Sequence, residues 1–130
     1  MQTYYKLPTM VLTIPENYYV PFIYKIDDRQ FKLGHKWPVV ADPTRKMDPR
    51  KIRIFKREEI EMHHFSYVRH DLMSKLANSS ASVNFINRVG EIYMHWKNWQ
   101  PGQQALFAGK EKRLYDLKEV PNIFDIPLNI

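Results

Sequence analysis

The stretch Ile60-Glu61-Met62-His63-His64-Phe65-Ser66-Tyr67-Val68-Arg69-His70-Asp71-Leu72-Met73-Ser74-Lys75-Leu76 decides the fold class, because the period of its apolar residues changes partway along. Ile60 and Met62 alternate with Glu61 and His63, the repeat of a half-buried strand. Val68, Leu72 and Leu76 then recur every four residues, as on one face of a helix. Upstream, Lys51-Ile52-Arg53-Ile54-Phe55 alternates basic with apolar side chains, and the charged turn Lys56-Arg57-Glu58-Glu59 separates it from Ile60. The pattern predicts a β-hairpin over 51–63 and a helix from about Val68. A second, longer helix is predicted over 80–99, with Ser79 or Ser80 as N-cap, Phe85, Val89, Ile92, Trp96 and Trp99 on one stripe, and Pro101-Gly102 as its stop.

Outward from this centre the chain is irregular. Met10-Val11-Leu12-Thr13-Ile14 reads as extended and stops at Pro15, and Tyr18-Tyr19-Val20 and Phe22-Ile23-Tyr24-Lys25-Ile26 follow around Pro21. From Phe31 to Arg50, Gly34, Pro38, Pro43 and Pro49 rule out long regular elements, leaving a long loop of the kind that is often functional. Leu114-Tyr115-Asp116-Leu117 and the Pro-punctuated tail from Val120 to Pro127 read as a closing segment packed on the body. The fold class expected is mixed α/β (α+β): a β-hairpin followed by two helices, between irregular Pro-rich N- and C-terminal segments, in a single domain over 1–130.

Composition bounds the function. The 130 residues are 44% hydrophobic and 26% charged, which fits a compact domain with a modest core. With no cysteine, disulfides, thiolate metal sites and a cysteine nucleophile are excluded, so a metal would be held by His, Asp, Glu or backbone oxygen. Lys plus Arg exceed Asp plus Glu by 20 − 14 = 6, a bias toward polyanionic partners. No apolar run is long enough to span a bilayer, and Met1-Gln2-Thr3-Tyr4-Tyr5-Lys6 lacks a secretory pattern, so a cytoplasmic protein is expected.

His63-His64 is the sharpest motif, since imidazoles ligate metals and donate to phosphate near neutral pH. Adjacent strand residues face opposite ways, so one of the pair is expected to face the site and the other to be satisfied by the fold. Ser66 is expected to cap the helix starting near Val68, where backbone N–H groups would receive an anion, and Arg69 to add a bidentate phosphate contact. In Asp42-Pro43-Thr44-Arg45-Lys46-Met47-Asp48-Pro49-Arg50-Lys51, Arg45, Lys46 and Arg50 have two readings, an anion-facing group and a solvated charged loop. Asn78-Ser79-Ser80 matches a glycosylation sequon and reads as a turn and cap. Asp27-Asp28 reads as a turn rather than a carboxylate pair, and Glu59 and Glu61 read as a site near His63 or as exposed charge.

The stretches Thr44–Phe55, Glu61–Arg69 and Lys75–Ser80 together resemble the C-terminal half of GT-A-type, family-two-like glycosyltransferases. They cover about a fifth of the chain, 27 of its 130 residues, by motif alone. The resemblance implies a partial GT-A half, the acceptor-side portion of a larger domain, that helps transfer a sugar from a nucleoside diphosphate sugar to a glycan or other hydroxyl acceptor. It implies a divalent metal, Mn or Mg, on His63 or His64, a phosphate contact from Arg69, and Tyr67 or Trp37 as sugar neighbours. The family's nucleotide-binding half ends in an Asp-x-Asp metal motif, which this sequence lacks. A missing N-terminal donor-binding half is therefore expected, the chain alone is not expected to turn over, and no catalytic residue is assigned.

The rival from another class is a small basic nucleic-acid-binding protein, with Lys46, Arg50, Lys51 and Arg53 on phosphates and Tyr or Trp rings stacked on bases. A histidine-based metal hydrolase lacks a further His or carboxylate at helical spacing.

Overall fold

The computed structural model describes residues 1–17, 53–79 and 81–128. Those residues fall into two compact units: Met1, Asn17 and residues 53–62 belong to one, and Gln2–Glu16 with the residues from His63 onward to the other. In chain order the elements are β1 (Gln2–Tyr5), β2 (Leu7–Leu12), β3 (His63–Tyr67), α1 (Leu72–Ala77), two 3-10 turns (Ser82–Asn84 and Ile86–Arg88), α2 (Val89–Asn98), β4 (Ala105–Leu106), β5 (Leu114–Tyr115) and β6 (Leu117–Glu119). The described chain is thus mixed α/β, with a four-stranded sheet in the order β3-β1-β2-β6, a β4-β5 pair and two helices.

β1 lies between β3, to which it is parallel, and β2, to which it is antiparallel. Both its faces are covered, so Thr3, Tyr4 and Tyr5 are buried in succession. Tyr5, Met10 and Tyr67 join the main core with Leu72, Leu76, Phe85, Ile92, Trp96 and Trp99, while Tyr4, Val11 and Val68 form a second cluster against Phe65 and Val120.

Lys6, the sole residue between β1 and β2, is held at φ 58°, a left-handed conformation costing about 1 kcal/mol for a residue with a Cβ. Three bonds hold it there: its N–H donates to the Tyr67 carbonyl (3.2 Å), and its ammonium donates to the carbonyls of Lys97 (2.6 Å) and Trp99 (3.1 Å). The β1–β2 turn therefore caps the C-terminal end of α2.

The hairpin expected over 51–63 is not formed by its described part. Residues 53–56 and 60–62 carry no strand, and β3, which starts at His63, pairs with β1 instead. The charged turn is present and self-contained: Glu59 accepts from the Lys56 N–H (2.9 Å) and from Arg53 (2.8 Å). Glu61 faces Arg57 at 3.7 Å. Alternation in Arg53-Ile54-Phe55 is thus a poor guide, since Ile54 and Ile60 are both exposed.

Helix boundaries differ too. α1 begins at Leu72, not near Val68, and Asp71 caps it by accepting from the Ser74 N–H at 2.9 Å. Ser66 lies inside β3 and caps nothing, so the expected anion site at a helix start beside it is not built. The long helix expected from Ser80 begins as helix only at Val89. Phe85, at φ −146°, breaks the run between the two 3-10 turns as its ring enters the core. The predicted stripe survives: Phe85, Ile92, Trp96 and Trp99 are buried, with Val89 packed against them. Asn78 ends α1, its side-chain amide donating to the Ser74 carbonyl at 2.9 Å, as a turn reading of the sequon requires. The tail supplies β6, whose pairing with β2 is extended by Val120 N–H to Thr9 O (2.8 Å).

Candidate functional site

β3 separates the two histidines. His63 shares a 2.9 Å hydrogen bond through Nδ1 with the Tyr4 hydroxyl, and its ring meets Phe124 edge-on at 4.9 Å. Tyr4 and Phe65 stack at 4.0 Å beside it, so His63 joins the sheet to the tail.

His64, aligned with Thr3 of β1, is half-buried, and its Nδ1 is buried with no hydrogen-bond partner among the described residues. Burial holds its pKa below the ordinary imidazole value; the Glu16 carboxylate opposes that shift and Lys75 reinforces it. His64 is therefore a neutral imidazole at neutral pH, the form that ligates metals. Glu16 in turn accepts the hydroxyl of the buried Thr3.

Two further buried polar atoms along the same strand and its exit also lack partners among the described residues, Ser66 Oγ and Arg69 Nε. Buried donors and acceptors are normally satisfied, so three such atoms within one short segment are unusual. Positive charge accompanies them. Lys75 of α1 is half-buried with its ammonium 4.6 Å from the Tyr67 ring centroid, and its pKa is lowered by burial first and by Arg69 second. The electrostatic neighbours thus run Glu16, His64, Lys75, Arg69.

Tyr67 serves this corner as support. Its hydroxyl accepts from the Ala108 N–H (2.7 Å), its carbonyl accepts from Trp96 Nε1 (2.9 Å), and burial pushes its pKa up to about 12. Its ring is the surface beneath Lys75 rather than an exposed platform.

The expected residues His64, Ser66, Arg69 and Tyr67 are thus gathered on β3 and its exit, while His63 is on the face toward Tyr4. Trp37, Arg45, Lys46 and Arg50, like Asp27 and Asp28, lie outside the described residues. Lys75 and Glu16 were not anticipated. Nothing local gives Lys75 a role, and nothing local marks Glu16, which only the pairing of β1 with β3 brings near His64. Among the described residues no group of three or more His, Asp or Glu is placed to hold a metal. None of the described helices is long and apolar enough to cross a membrane. Compared with protein-family models, with curated proteins and with solved structures, the chain matches none.

Proposed function

We propose that this chain is the acceptor-side portion of a glycosyltransferase that uses a nucleoside diphosphate sugar, and that the β3–α1 corner binds the diphosphate. The observation that carries this reading is the set of buried atoms without partners among the described residues, His64 Nδ1, Ser66 Oγ and Arg69 Nε, with the Lys75 charge acting on both His64 and Arg69. Phosphoryl oxygens would satisfy Ser66 and Arg69 directly, and partial burial strengthens each charge-assisted bond. Two cations suit a ligand with charge on adjacent phosphoryl groups, and a departing diphosphate develops charge there.

The residues fit a divalent ion in part. Neutral His64 and the neighbouring Glu16 carboxylate are suitable donors for Mn or Mg, whose remaining ligands would come from diphosphate oxygens and water. Such an ion would offset charge on the leaving diphosphate. Arg69 and Lys75 would orient the phosphoryl groups, with the Tyr67 ring lying under the Lys75 ammonium. His63, committed to Tyr4 and Phe124, has no part in this scheme.

The test is calorimetric titration of the full chain with UDP and GDP, with and without manganese, beside single-stranded DNA. Nucleoside diphosphate should bind with a manganese-dependent component that His64→Ala removes, and Arg69→Ala should weaken binding at least about tenfold. Tight, salt-sensitive DNA binding that neither substitution changes would favour the nucleic-acid-binding alternative and overturn the transferase reading.

A further inference from the structure

α2 carries a second feature away from that corner. Glu91, Met94, His95 and Asn98 recur at helical spacing beside the buried Ile92 and Trp96, and they line an open groove completed by Gln103, Gln104 and Leu114. The groove has little net charge to offer a ligand. Lys112 pairs with the Glu91 carboxylate and holds it below the usual carboxylate range. His95 shares Nδ1 with the Tyr5 hydroxyl at 3.3 Å and is kept toward its neutral form by burial.

What the groove does offer is three side-chain amides, two of them held in place with one end unused among the described residues. The Gln104 amide nitrogen is fixed to Asp116 at 2.9 Å, leaving its carbonyl oxygen as an acceptor. Gln103 receives the Gln100 N–H on its carbonyl at 2.9 Å, leaving its NH2 as a donor. Asn98 is exposed at the end of α2. Met94 and Leu114 are 50% and 46% exposed, apolar surface beside these amides.

We propose that this groove binds a neutral carbohydrate, with Asn98, Gln103 and Gln104 hydrogen-bonding its hydroxyls and Met94 and Leu114 packing on its C–H faces. A sugar ring presents neighbouring hydroxyls that both donate and accept, as planar amides do, together with patches of C–H surface. An anion would find Lys112 already paired with Glu91, and a nucleobase would find no Tyr, Phe or Trp ring among these seven lining residues, whose one ring, His95, is engaged by Tyr5. The groove is connected to the phosphate corner through one aromatic stack. Tyr5, bonded to His95, stands 5.6 Å from Tyr67, the ring under Lys75. The carbohydrate inference stands on the groove's own chemistry and goes beyond the diphosphate assignment.

The experiment follows side-chain amide signals of the full chain by NMR during separate titrations with maltotriose and chitotriose. One of these sugars at roughly millimolar concentration should shift the Asn98 and Gln103 amide signals. Asn98→Ala should weaken that binding about fivefold to tenfold with the circular dichroism spectrum unchanged, and Met94→Ala should weaken it as well. Groove amides unmoved by both sugars, or sugar binding undiminished in both variants, would overturn the proposal. A parallel UDP titration reads the diphosphate corner through His64. Failure there with sugar binding intact would sink the nucleotide assignment alone, and the reverse result would sink the groove alone.

Discussion

At residues 64, 66 and 69 buried polar atoms have no partner among the described residues, at the corner where a ligand is expected. Ser66→Ala should change stability little, because the native hydroxyl makes no bond among the described residues to lose, yet it should lower affinity for UDP several-fold. Stability compared by urea melts, against affinity by calorimetry, separates the two effects. His64 and His95 both sit below the ordinary imidazole value, chiefly because burial disfavours the charged form. The unfolded chain then binds more protons than the folded one below about pH 6.5, so stability rises with pH in that range. The urea midpoint should fall as pH drops through the ordinary imidazole value and level off once the depressed folded values are passed. His64→Gln should make that fall shallower. The kinds of residue at this corner were legible from the sequence, because strand alternation already required one of His63 and His64 to face away from the other. Its full membership was not. Ser66 looked like a helix cap because Val68, Leu72 and Leu76 share a helical spacing, although Val68 packs with Tyr4 and Val11 instead. Lys75 and Glu16 reach the corner only through tertiary placement.

Elements were read best where burial is one-sided. α2 shows its stripe clearly, since Ile92 and Trp96 face the core while Glu91 and Asn98 do not. β1 is not legible in the sequence because a central strand covered on both faces carries no alternation, as the successive burial of Thr3, Tyr4 and Tyr5 shows. The described part of the expected hairpin fails for the converse reason: Arg53-Ile54-Phe55 alternates, but Ile54 is exposed. The junction between the β1–β2 turn and α2 gives the element-scale prediction. Lys6→Ala removes both bonds to the Lys97 and Trp99 carbonyls and keeps the left-handed backbone, so it should cost about 1 kcal/mol or more in a chemical melt. Lys6→Gly relieves the backbone and should recover part of that loss.

At the scale of the whole molecule, one aromatic core ties the two candidate sites together. Trp99 is 2% exposed, meets Tyr5 edge-on at 5.7 Å and donates from Nε1 to the Gln103 carbonyl at 3.0 Å, so it supports the groove residue Gln103 as well as the sheet. Trp99→Ala should cost about 3–5 kcal/mol, enough to threaten folding in a domain of this size, and thermal melts will show it. Sequence alone predicted a mixed α/β class, which the sheet and helices bear out. It did not fix the strand order, because the parallel pairing of β1 with β3 joins segments far apart in the chain. The central claim is that the β3–α1 corner holds a diphosphate against His64. Its most direct test is the Nδ1 nitrogen shift of His64 followed by NMR during titration with UDP and manganese. The account predicts a saturable change at His64 that vanishes in Arg69→Ala while the His63 signals stay in place. A His64 signal that does not respond, or one that responds equally in Arg69→Ala, would contradict it.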